Sequence, residues 1–212
     1  MHFIQNTMKQ QIVIIHGGNT FQTYEEYLEF LKQRPLDLER LRPHPEWKDS
    51  LTLQLGDNFD VLLPRMPNGA NAQYSEWKIW LEKILALLDD STIFIGHSLG
   101  GVFLAKYFSE NDYAKKIRAA ILIAAPFDNA SIDEKLASFA LNLPLDNFRR
   151  QCKNIYLIHS LDDPLVPFEQ IKKYKKALPA AKELIFSDRK HFICESFPEI
   201  IDLVKKIAQP SQ

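Results

Sequence analysis

The sequence predicts an α/β fold, a mostly parallel central sheet with helices on both faces. Three observations carry this. Short, near-continuous apolar runs recur along the chain, segments of helical period separate them, and the two kinds alternate in a β-α-β-α rhythm. The first run, Ile12-Val13-Ile14-Ile15, lacks the polar alternation of a half-exposed strand and reads as a strand buried on both faces. Similar runs follow at Phe59–Leu63, Thr92–Ile95, Ala119–Ile123, Ile155–Ile158 and Glu183–Phe186. The segment Tyr74–Leu88 places Trp77, Trp80, Leu81, Ile84, Leu85 and Leu88 on one helical stripe. Further helical segments run through Val102–Tyr107, Phe168–Ala177 and Pro198–Ile207.

One connection breaks the rhythm. Thr20–Gly56 is too long for a plain crossover and holds a helical stretch, Tyr24–Gln33, followed by the Pro-rich Arg34–Pro45. It reads as an insertion over the mouth of the sheet, within a single domain spanning 1–212. Gln209–Gln212 reads as a frayed end.

Composition narrows the function classes. With 46% hydrophobic and 25% charged residues the chain is ordinary globular material. Twenty-six basic against 27 acidic side chains give a net charge of −1, with no global pull toward nucleic acid or an anionic membrane. The local cluster Lys172, Lys173, Lys175 and Lys176 reads as a solvated helix face. Two cysteines, Cys152 and Cys194, are too few for a disulfide framework and read as free thiols. Met1–Gln11 has no apolar signal core, and no run reaches the ~18 apolar residues of a membrane helix. A cytoplasmic protein is expected.

The strongest chemical signal is Gly96-His97-Ser98-Leu99-Gly100, a G-x-S-x-G. Five residues alone match often by chance. Here an apolar strand ends at the motif, a helix begins after it, and Gly101 follows. At such a strand–turn–helix elbow the serine is strained, and small residues two positions either side avoid collision with strand and helix. Ser98 is thus the candidate nucleophile of an α/β-hydrolase fold. The amide of the next residue, Leu99, is the candidate first oxyanion donor.

A serine hydroxyl needs a base. In this fold the order along the chain is Ser, then Asp or Glu, then His. His159 and His191 lie downstream, and His159 precedes the acidic candidates. His191, after the short loop Ser187–Lys190 and before the last helix, is the base. The acid should follow the strand Ile155–Ile158, where Asp162 and Asp163 stand side by side. Its task is to fix the imidazole tautomer and stabilise the imidazolium. Spacing does not separate the two.

The sequence resembles the small α/β-hydrolases of the retinoblastoma-binding protein 9 and YdeN-like family. Gly96–Gly100, Asp162–Pro167 and His191-Phe192 match its GHS-x-G, D-D-x-x-V-P and late H-F, in order and over nearly the whole chain. The resemblance implies Asp163, which opens D-x-x-V-P, as the acid, and Gly18 of His16-Gly17-Gly18-Asn19 as the second oxyanion donor. One departure is visible: hydrolases of this fold commonly carry Gly before the histidine, and here Lys190 stands there. His16 and His97 read as structural, while His44, between Pro43 and Pro45, has no evident partner.

These features predict a carboxylesterase-like hydrolase that cleaves a small soluble acyl substrate through an acyl-enzyme on Ser98. Phe127, after the strand Ala119–Ile123, is a candidate substrate contact, with a core role as the competing reading. An amidase or peptidase using the same triad is one alternative. A non-catalytic partner-binding protein on this fold is another, suggested by family members described as partner-binding proteins. No metal-ligand pair and no phosphate loop is present in the sequence, so neither metal nor cofactor is expected. Neither nucleic-acid nor membrane partners are expected. The absence of a long apolar lid weighs against a lipase, although Trp47 and Leu51–Leu55 could line a cleft.

Overall fold

The computed structural model describes residues 9–209, apart from 131, 133, 134, 142 and 143. Most of Met1–Gln11 and the residues beyond Gln209 therefore lie outside the described residues.

Six strands form one parallel sheet: β1 (Gln10–Ile15), β2 (Phe59–Leu62), β3 (Thr92–His97), β4 (Ile117–Ile123), β5 (Ile155–Ser160) and β6 (Lys182–Phe186). Their spatial order is β2-β1-β3-β4-β5-β6. Each coincides with an apolar run of the sequence. The chain starts at β1, adds β2 on one side, then returns past β1 to build β3 onward. That reversal opens a crevice at the carboxyl ends of β1 and β3, where parallel sheets bind ligands.

Strand periodicity divides the core in two. Val13, Ile15, Phe94, Ala120, Leu122 and Leu157 face one side, under helices α3 (Tyr74–Leu87), α4 (Leu99–Glu110), α5 (Asp146–Gln151) and α6 (Glu169–Ala177). Ile12, Ile14, Ile93, Ile95, Ile121 and Ile158 face the other, under α2 (Trp47–Leu55) and α7 (Pro198–Ala208). Alternate residues go to opposite faces because successive Cβ atoms of a strand do. Continuous apolar runs are what a sheet covered on both faces requires.

Two expectations change. The 20–56 connection is not one insertion: α1 (Tyr24–Gln33) buries none of its residues, whereas α2 buries Trp47, Leu51 and Leu55 against the sheet. The latter is thus the β1–β2 crossover helix, and of these side chains Leu55 borders a groove at the amino ends of the strands. Trp80 leaves the α3 stripe and stays 41% exposed. The lysines of α6 form the solvated face expected of them, Lys172 and Lys176 exposed and the other two in partly exposed ion pairs, Lys173 with Asp128 and Lys175 with Glu183. Among the described residues no helix is long and apolar enough to cross a membrane.

Candidate active site

Ser98 sits between the last residue of β3 and the first of α4, at φ 54° and ψ −123°. A non-glycine residue there carries strain of about 1–3 kcal/mol, which the surrounding packing must hold. Its amide donates to Ile123 O at 2.8 Å, and its carbonyl accepts from Gly101 N–H at 2.9 Å. The flanking glycines are steric requirements. A Cβ on Gly96 would lie 2.6 Å from Gly100 O, one on Gly100 2.3 Å from Ile15 O, and one on Gly101 2.5 Å from Ala125 Cβ. Strand and helix can approach this closely only without side chains at those positions.

The loop after β1 lies against the elbow. A Cβ on Gly17 would stand 3.2 Å from Ser98 Cβ, and one on Gly18 2.7 Å from Gly69 O. His16 locks this loop. Its Nε2 accepts from Met66 N–H at 2.9 Å, which leaves the ring proton on Nδ1 to donate to Gly17 O. Asn19 adds backbone bonds to Gly69 and Ala72. Among the described residues the amides of Gly18 and Leu99 are bonded to no other group, and both residues line the cleft that holds Ser98.

His191 lines that cleft too. Its Nδ1 lies 2.9 Å from Asp163 Oδ2 and 3.1 Å from Oδ1, with both side chains almost fully buried. A carboxylate only accepts, so Nδ1 carries the proton and Nε2 is free to accept one. Asp163 Oδ1 also accepts from the amides of Leu165 and Val166, at 2.9 and 3.0 Å, which fixes the carboxylate's orientation. Asp162 points elsewhere, its Oδ1 accepting from Ser160 Oγ at 2.5 Å and Lys190 N–H at 2.9 Å. Those two bonds hold its carboxyl below the usual carboxylate range. The neighbouring aspartates therefore divide between the histidine ring and the loop that bears it. The serine hydroxyl and the ring share the cleft without a hydrogen bond between them.

The cleft is small, about 60 Å³, and is walled by Leu99, Pro126, Ile132, Leu136, Leu165 and Val166. Thr20, of the 20–56 connection, borders it and bonds through its hydroxyl to the Lys135 carbonyl. A larger groove of about 690 Å³ lies at the amino ends of the strands, around Gln10, Phe59 and Arg118, away from Ser98. Phe127 is a correction to the sequence reading. Its ring packs edge-on against Tyr174 at 4.9 Å, and its amide donates to Gln170 Oε1 at 2.7 Å, outside the cleft wall. The core reading holds for it.

The other histidines are committed as well. His159 faces Val166 O through Nε2 at 2.8 Å, and burial keeps its ring below the ordinary imidazole range. His44 bonds Glu39 O at 2.8 Å. Sequence reasoning missed the packing of α2 on the histidine loop, where Trp47 N–H donates to Cys194 O at 2.8 Å and Trp47 Nε1–H to Phe192 O at 3.1 Å. A Trp at the start of an apolar i, i+4, i+8 pattern was the available signal.

Comparison with known proteins agrees with this architecture. A family model described as "Serine hydrolase" matches residues 43–196. Serine hydrolase RBBP9 of Rattus norvegicus is 30% identical over 155 residues, covering 72% of this chain and 80% of the relative. The solved ydeN gene product from B. subtilis superimposes with a TM-score of 0.76 at 20% identity, covering 94% of this chain and 98% of that one. An X-ray structure of an aryl esterase, so described provisionally, from Burkholderia cenocepacia gives 0.62 at 12% identity, over 94% and 91%. The match over most of the chain, on a parallel sheet with a strained serine at its crossover, makes this chain a member of the serine hydrolase family, on the α/β-hydrolase fold.

Proposed function

We propose that the chain is a carboxylesterase-like hydrolase of small soluble acyl esters, with Ser98, His191 and Asp163 as its triad. The observation that carries this is the Asp163–His191 Nδ1 bond, which leaves Nε2 as a base in the cleft that also holds Ser98. His191 takes the hydroxyl proton as Ser98 Oγ attacks the ester carbonyl. The Gly18 and Leu99 amides, free of other partners among the described residues, stabilise the oxyanion of the tetrahedral intermediate. His191 then returns the proton to the departing alkoxide, leaving an acyl-serine. Water, deprotonated by the same ring, hydrolyses that ester and regenerates Ser98. Asp163 keeps the ring in the productive tautomer and offsets the imidazolium charge without accepting the proton.

Solved fold relatives described as an aryl esterase and as carboxylesterases support the ester reading over an amide one. The test joins a fluorophosphonate probe to a panel of p-nitrophenyl esters of increasing acyl length, run beside aminopeptidase-type amides. Labelling and ester turnover by the wild type, both lost in Ser98→Ala, are the expected results. Folded wild-type protein that takes no probe would favour a partner-binding protein, and turnover of amides alone would favour a peptidase.

A further inference from the structure

His191 stands between two residues in left-handed backbone, Lys190 at φ 48° and Phe192 at φ 56°. Neither is glycine, so the loop does not hold this shape by preference and depends on bonds from its surroundings. The end of β5 supplies two: Ser160 Oγ accepts from Arg189 N–H at 3.1 Å and Asp162 Oδ1 from Lys190 N–H. Trp47 of α2 supplies two more, to Phe192 O and Cys194 O. At the centre, the carbonyl of His191 itself lies 2.8 Å from His97 Nε2.

We propose that His97 is a positioning residue for His191, and that Lys48 fixes the tautomer in which it acts. The argument is one of donors and acceptors. Lys48 Nζ stands 3.3 Å from His97 Nδ1, and an ammonium can only donate. Nδ1 therefore accepts, the ring is neutral, and its single proton is on Nε2. That proton faces a carbonyl, which can only accept. The opposite tautomer would set an N–H against the ammonium and a lone pair against the carbonyl. Lys48 is itself held, with a side chain 12% exposed and its Nζ 2.6 Å from Glu46 Oε2. Burial, then the Lys48 charge, keep the His97 ring well below the ordinary imidazole range, in keeping with a neutral ring.

The geometry has a kinetic meaning. His97 directly precedes Ser98, so its bond ties the backbone beside the nucleophile to the backbone of the base. Asp163 orients the ring of His191; His97 sets where that ring starts. This role rests on the reading of His191 as the base.

Two measurements test it. In the wild-type chain, 15N–1H NMR of the imidazoles should find His97 as the Nε2–H tautomer at neutral pH. An Nδ1–H tautomer or an imidazolium overturns the proposal, and this needs no variant to fold. In ester hydrolysis, His97→Leu should lower kcat about 10- to 100-fold with KM within about threefold, the signature of a displaced base. His97→Gln can donate to the His191 carbonyl and accept from Lys48, and should recover kcat to within about fivefold of wild type. Lys48→Met should lower kcat less than His97→Leu does. A folded His97→Leu with unchanged kcat, or a His97→Gln no better than His97→Leu, removes the positioning role while Ser98 still labels. If wild type takes no probe and hydrolyses nothing, this proposal falls with the hydrolase reading itself, and the tautomer measurement then reports only a structural bond.

Discussion

Lys190 offers a clean test of how the histidine loop is held. Its φ of 48° lies where a Cβ meets the following carbonyl, at a cost of about 1–2 kcal/mol. Its side chain is exposed, and its backbone contact, N–H to Asp162 Oδ1, survives any substitution but proline. Lys190→Gly removes the Cβ clash and adds unfolded-state entropy, which costs about 0.4–1 kcal/mol. The difference is a net stabilisation of up to about 1.6 kcal/mol. For a chain of this length that raises Tm by up to about 6 °C. Lys190→Ala keeps the Cβ and should move Tm by less than half as much. Thermal unfolding of the three proteins, followed by circular dichroism at neutral pH, decides the matter. If Lys190→Gly melts lower than wild type, or if alanine stabilises as much as glycine, left-handed strain is not what this position stores. The expected outcome also explains the departure seen in the sequence: glycine, common before the histidine in this fold, is the residue the observed backbone favours.

Other outcomes follow from the same geometry. Asp163→Asn should reduce kcat about 10³- to 10⁴-fold, because an amide can present its N–H₂ to Nδ1 and select the wrong tautomer. Asp162→Asn, which loses one charged acceptor of the loop, should cost about tenfold or less, and equal losses in steady-state ester kinetics would contradict the division of roles. Gly100→Ala should unfold the chain or destabilise it by about 3 kcal/mol or more in urea titrations, since its Cβ would press on the β1 backbone at Ile15 O; a near-native midpoint would refute that. Burial lowers the proton affinity of the His97 and His159 rings, strongly at His97, where the Lys48 charge adds to the effect. Below pH ~6.5 the unfolded chain therefore holds more protons at these rings than the folded chain, so unfolding binds protons. Stability should be full above that pH and fall below it by up to about 1.4 kcal/mol per pH unit for each ring. Urea midpoints measured from pH 8 to 5 test this, and a flat profile below 6.5 would count against it.

Much of the fold was legible because the signals were local. The four central strands carry near-continuous apolar runs, and the two-sided burial that such runs imply is what the middle of the sheet displays, while the edge strands β2 and β6 are only partly buried. The elbow was legible because its glycines, serine and flanking elements are contiguous in the chain. Two helices were not. In α2 only Trp47, Leu51 and Leu55 are buried, a narrow stripe behind a Pro-rich stretch, and it was absorbed into the reading of an insertion. In α5, Asp146–Gln151, six residues give too little periodicity to read. Phe127 shows the converse failure. A large aromatic after a strand can turn to the site or to the core, and only the position of Tyr174 on α6 decided it.

By itself, then, the sequence determined the parallel sheet, the elbow that presents Ser98, and the order in which serine, acid and histidine appear. It also carried the family likeness that favoured Asp163. Tertiary structure alone decided which aspartate meets the imidazole, that Trp47 and His97 grip the histidine loop, and that Lys190 bends through left-handed backbone. The physical reason is the range of the forces involved. Apolar periodicity and turn sterics act over a few residues, whereas a hydrogen bond is set by the direction of a donor and an acceptor that here lie between 28 and 145 positions apart.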